Sequence, residues 1–133
     1  MKPNNVIYLK CTENSFYRVW MEFLAPFHKL TSRERDVAAQ LLEQYFRLRD
    51  GVKDDDVLYD IMWSQKSRQD IRTRLGISQA HFQLVLSKLR TAGFLNGREI
   101  NPRYIPHTNK EDNRFMLEII YDWSASNKPI VSA

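Results

Sequence analysis

The sequence predicts an α+β fold that is mainly helical. Three observations carry that expectation. Apolar residues recur at helical spacing in successive stretches up to about residue 92. Helix-start signatures stand where several of those stretches begin, and after Gly93 the pattern turns to the two-residue period of strands. A chain of 133 residues fits one domain and is long enough to bury a core without staples.

From Phe16 the residues Phe16, Trp20, Phe23, Leu24 and Phe27 follow helical spacing, and Pro26 ends or kinks that helix. Ahead of it, Val6 to Lys10 reads as a short edge strand. Thr31 and Glu34 form a capping box, in which each side chain satisfies the other's backbone amide. The helix they open runs to about Arg49, with Val37, Leu41, Leu42, Tyr45 and Leu48 on one side, and Asp50-Gly51 stops it. Lys53-Asp54-Asp55-Asp56 is a turn feeding a helix from about Val57 to Trp63, whose positive end suits the aspartates. Adjacent carboxylates point in different directions there and have no ligand-spaced partners, so helix-start acids fit better than a metal site. Ser67 caps a helix to about Leu75, and Ser78 opens another that continues to Ala92-Gly93. Phe94 to Ile100, Tyr104-Ile105 and Arg114 to Trp123 read as strand material around a polar loop at His107 to Asn113, with a tail from Ser124. Trp20, Trp63 and Trp123 are core candidates first.

The joint Gly76-Ile77-Ser78 is the most informative stretch. Glycine there can take the left-handed conformation that ends a helix sharply, and a three-residue link makes two short helices cross steeply. On a wheel of the second helix, Phe82, Val85, Leu86 and Leu89 share the inner face. The outer face is mostly short and polar, and its side chains Gln79, Ala80, Gln83, Leu84, Ser87 and Lys88 suit base edges in a major groove, although Leu84 equally suits a protein partner. Thr91 shares that face, with His81 and Arg90 at its margins.

Charge is concentrated in the same stretch. The formal net charge is only +4. Between Ser64 and Arg98, however, seven basic side chains face Asp70 alone: Lys66, Arg68, Arg72, Arg74, Lys88, Arg90 and Arg98. All of those but Lys88, with His81 and Lys110, are the candidate phosphate contacts, which fix register without reading sequence. If about five phosphates are neutralised, the log–log salt slope should lie near −4 to −5.

Leu75-Gly76-Ile77-Ser78, followed by a helix ending Leu89-Arg90-Thr91-Ala92-Gly93-Phe94-Leu95, resembles the winged helix-turn-helix of transcription regulators and replication proteins. Ile100-Asn101-Pro102 is similar to a strand of winged-helix plasmid and phage replication initiators. The resemblance covers Thr31 to Trp123. It implies that Phe94 to Trp123 forms a β-hairpin wing, which would offer Arg98, Arg103 and Lys110 to phosphates or the minor groove. The hairpin tip could equally be kept solvated by Lys110, Glu111 and Asp112 alone. The expected organisation is thus an N-terminal extension over 1–30, a winged helix-turn-helix domain over 31–123 and a tail over 124–133.

Other chemistries find little support. Neither a Gly-x-x-x-x-Gly-Lys phosphate loop nor a Gly-x-Gly-x-x-Gly run is present, and His28, His81 and His107 lack carboxylate or cysteine neighbours at metal or triad spacing. No enzyme, cofactor, metal or small-molecule substrate is expected. No apolar run would cross a bilayer, the first residues are not those of a signal peptide, and the single Cys11 cannot form an internal disulfide, so a cytoplasmic setting is expected. Two functions remain open. One is a double-stranded DNA-binding protein, transcriptional or replicative. The other is a winged-helix interaction module, such as a phage structural or packaging component in the host cytoplasm or virion. The aromatic segment Tyr8–Phe27 offers a dimer or assembly contact under either.

Overall fold

The computed structural model of the chain describes residues 10–107. Within them the chain is mainly helical with one small antiparallel sheet, as expected. The helices are α1 (Glu13–Phe23), α2 (Ala25–His28), α3 (Ser32–Arg49), α4 (Asp55–Met62), α5 (Gln65–Leu75) and α6 (Gln79–Thr91). A hairpin of β1 (Leu95–Asn96) and β2 (Glu99–Ile100) and a 3-10 turn at Pro102–Tyr104 complete the order. Expectations for Val6 to Leu9, for Lys110 and for Arg114 to Ala133 fall outside the described residues.

The long helix α3 is the centre. Its Thr31–Glu34 capping box forms as read, with the Thr31 amide donating to Glu34 Oε1 at 3.0 Å. Val37, Ala38, Leu41 and Leu42 are fully enclosed, because α1, α4, α5 and α6 all pack against this helix. One apolar cluster runs from Tyr17 and Trp20 through α3 to Phe82, Leu89, Phe94 and Tyr104. α1 therefore shares the core of the later helices, and an ion pair from Arg18 to Asp36 (2.5 Å) ties it to α3.

Several boundaries differ from the sequence reading. α1 begins at Glu13, not Phe16, because Thr12 and Ser15 form a capping box of their own. Its buried stripe is Tyr17, Trp20, Met21 and half-buried Leu24, which leaves Phe23 exposed and Phe27 75 % exposed on α2. Pro26 interrupts the helix as expected, sitting in the first turn of the four-residue α2. α4 starts two residues early because Asp54 caps it, accepting from the Val57 amide at 3.1 Å. Ser64, not Ser67, caps α5: its hydroxyl accepts from the Ser67 amide at 3.3 Å.

Tyr104 lies in the 3-10 turn and not in a strand. Asn101 opens that turn by accepting from the Arg103 amide (3.2 Å), and Pro102 supplies the required φ. Trp20 Nε1 then donates to the Tyr104 carbonyl at 2.8 Å, fixing this end of the chain on α1. No helix among the described residues is long and apolar enough to cross a membrane.

Candidate functional site

The joint between α5 and α6 is built by its own backbone. Gly76 takes φ 64°, Ile77 N donates to Arg72 O at 3.1 Å, and Gly76 N donates to Thr73 O at 3.3 Å. This pair of bonds caps the last carbonyls of α5 and turns the chain sharply. Arg33 Nη1, near the start of α3, adds a bond to Leu75 O at 3.2 Å. Ser78 then starts α6, its hydroxyl accepting from the His81 amide at 3.1 Å.

α6 is strictly two-faced. Phe82, Val85, Leu86 and Leu89 are buried, as the wheel requires. Gln79, Ala80, Gln83, Leu84, Ser87 and Lys88 are all exposed, with Leu84 65 % exposed at the middle of the face. Thr91 is exposed too, although its hydroxyl bonds back to Ser87 O at 3.0 Å. His81 and Arg90 lie at the margins, and Arg90 Nε donates to Gly97 O at 3.2 Å.

The basic residues divide into two groups that the sequence did not separate. Arg74 Nη1 lies 3.5 Å from Glu43 Oε1, a carboxylate on α3 that is itself buried and also holds Arg47 at 2.9 Å. Arg98, at the hairpin turn, is held by Asp60 and by Asp56 (3.2 Å) on α4. The Asp60 hydrogen bond, with Asp56 beside it, raises the Arg98 pKa above its ordinary value. Lys66, Arg68, Arg72 and Lys88 form no ion pair among the described residues, and neither does Arg103 near the chain's described end. Half of the expected wing lies outside the described residues, Lys110 included.

Two further contacts bind the hairpin to the end of α4. Trp63 Nε1 donates to Arg98 O at 2.6 Å and Ile100 N donates to the Tyr59 hydroxyl at 3.2 Å, while Leu95 and Ile100 are themselves buried. Burial is the first cause that lifts the Tyr59 pKa. The hairpin tip thus touches the acidic start of α4 while Asn96 to Glu99 stay exposed.

A small cleft separates α5 from the start of α6. It has a volume of about 100 Å³ and is lined by Gln65, Arg68, Arg72, Gln79, Phe82 and Gln83. Among the described residues no group of three His, Cys, Asp or Glu side chains gathers as metal ligands. Comparison with protein families, with curated proteins and with solved structures returns no match.

Proposed function

We propose that this chain is a double-stranded DNA-binding protein of the winged helix-turn-helix type, with α6 lying in the major groove. The observation that carries the reading is the outer face of α6. It is exposed along its length, mostly short and polar around Leu84, and bordered by Arg68 and Arg72 on α5, which have no carboxylate partner among the described residues. A helix of 13 residues is about 20 Å long, enough to cross a groove about 12 Å wide and present side chains from two or three turns. Gln83 would pair with adenine edges, Lys88 with guanine, and Leu84 would meet thymine methyls. Arg68 and Arg72, with Lys66, would meet phosphates on one flank. Arg74 and Arg98 belong to the protein's own ion pairs and would have to abandon carboxylates to join them.

Selection of bound duplexes from a random pool tests the reading. A single recovered motif is expected, and the double substitution Gln83→Ala with Lys88→Ala should weaken its binding far more than binding to unselected DNA. A purified chain with no duplex affinity at low salt would defeat the assignment. A second reading then gains from a specific feature: exposed Leu84, Phe23 and Phe27 suit protein contact, including a second copy of the chain. Sizing in solution would test that one.

A further inference from the structure

We propose that the cleft between α5 and α6 is a seat for one phosphate oxyanion, held by Arg68 and Arg72 and supplied by the backbone of the duplex on α6. The last clause rests on the DNA reading above; the chemistry of the seat does not. Gln65, Arg68 and Arg72 are spaced three and four residues apart, so they form one wall on a single face of α5. On α6, Phe82 and Gln83 stand three and four positions after Gln79, and these three form the other.

Two observations point independently to an anion. First, Arg68 Nε is wholly shielded from solvent and has no hydrogen-bond partner. A buried guanidinium N–H without an acceptor is costly, and native structures rarely tolerate one unless a water or a bound group supplies the missing oxygen. Second, the fold matches most of its other arginines to acids, Arg90 and Arg103 excepted. Arg18, Arg35, Arg47, Arg49, Arg74 and Arg98 each meet a carboxylate, whereas Arg68 and Arg72 meet none among the described residues.

Size and shape narrow the ligand class. At about 100 Å³ the cleft holds roughly the volume of three waters. It is well below the roughly 300 Å³ at which pockets begin to enclose drug-sized ligands. A tetrahedral oxyanion fits that limit, and the planar guanidinium fork suits two of its oxygens at once. The amides of Gln65, Gln79 and Gln83 could donate to the remaining ones. Because Gln83 also stands on the outer face of α6, a phosphate held here would lie beside the bases that the helix faces.

Two arms test the seat on the whole chain, by NMR of the arginine Nε–H groups and by duplex binding. Titration with sodium phosphate, against sodium chloride at equal ionic strength, should move the Arg68 Nε–H signal saturably in phosphate alone. In the second arm, neutral methylphosphonate linkages are placed one at a time along a bound duplex. One position should cost the wild-type chain about 10-fold or more in affinity, the effect of losing a charge-assisted hydrogen bond. Arg68→Lys, which keeps the charge but removes Nε, should lose the sensitivity at that position, with unchanged core resonances showing that it folds. Should the duplex bind while Arg68→Lys leaves the methylphosphonate profile as in the wild type, the seat is refuted and the DNA reading survives. A saturable phosphate shift with no duplex binding would overturn both the DNA reading and the assigned source, leaving a free-anion site. No response in either arm removes the seat and the DNA reading together.

Discussion

Removing Arg72 should lower the salt dependence of duplex binding and removing Arg98 should leave it unchanged, although both residues belong to the same basic stretch. Lys66, Arg68 and Arg72, the proposed phosphate contacts, form no ion pair among the described residues, so they can release counterions from DNA. Three phosphates at about 0.9 each give a log–log salt slope of roughly −2.7. Affinity should then fall about 40-fold between about 50 and about 200 mM salt. Arg72→Ala leaves two such cations and should reduce the slope to roughly −1.8. Arg98→Ala removes a charge already matched by Asp56 and Asp60, so the slope should stay near −2.7. Fluorescence anisotropy of a labelled duplex over that salt range measures both variants. A drop of about one in the slope for Arg98→Ala, with none for Arg72→Ala, would refute the division of the basic residues into internal and external groups.

Three other outcomes follow from the fold. Gly76→Ala should destabilise by about 1–2 kcal/mol in urea unfolding, since φ is 64° there and the added Cβ meets open space, leaving backbone strain as the only cost. Phe82→Ala should cost about 3–5 kcal/mol, whereas Leu84→Ala two positions along should stay within about 0.5 kcal/mol in the same assay, because one side chain is buried and the other exposed. Burial, reinforced by Glu13, Glu43 and Asp50, pushes the Tyr17 hydroxyl from 10.0 up to about 12. A raised folded-state value means that this stability is present below pH 10 and lost as pH rises toward about 12, with a slope of up to ~1.4 kcal/mol per pH unit. Tyr17→Phe should flatten that alkaline decline in denaturant titrations at pH 9 to 12; an unchanged slope would contradict the burial assigned to the hydroxyl.

What the sequence made legible was local. The Thr31–Glu34 box, the Gly76 stop and the Ser78 start each depend on residues within a turn of one another, and all three form. The inner face of α6 was equally readable, because four apolar residues at helical spacing leave one way to turn the helix. Caps built from less distinctive pairs were missed. Thr12 with Ser15 lacks the Glu or Gln of the usual box, and Ser64 and Ser67 are three residues apart, so either serine could start a helix. In α1 too many large apolar residues were available, and packing against α3 buried Tyr17 and Met21 in place of Phe23 and Phe27. The matching of Arg74 to Glu43 and of Arg98 to Asp56 and Asp60 joins residues more than thirty positions apart, which only the folded chain brings together. The candidate face was therefore visible in the sequence, but its division into internal and external cations was not.

A ribbon with two residues in each strand is too short to choose its own alignment, and a slip by one residue would put Leu95 and Ile100 on opposite faces and expose one of them. Here the alignment is borrowed from α4: the Trp63 indole grips the turn's main chain, Tyr59 receives the Ile100 amide, and the paired aspartates anchor its side chain. The ribbon consequently couples two helices, since β1 also packs on α6 and Arg90 of that helix reaches the Gly97 carbonyl, and whatever moves α4 against α6 must strain the turn.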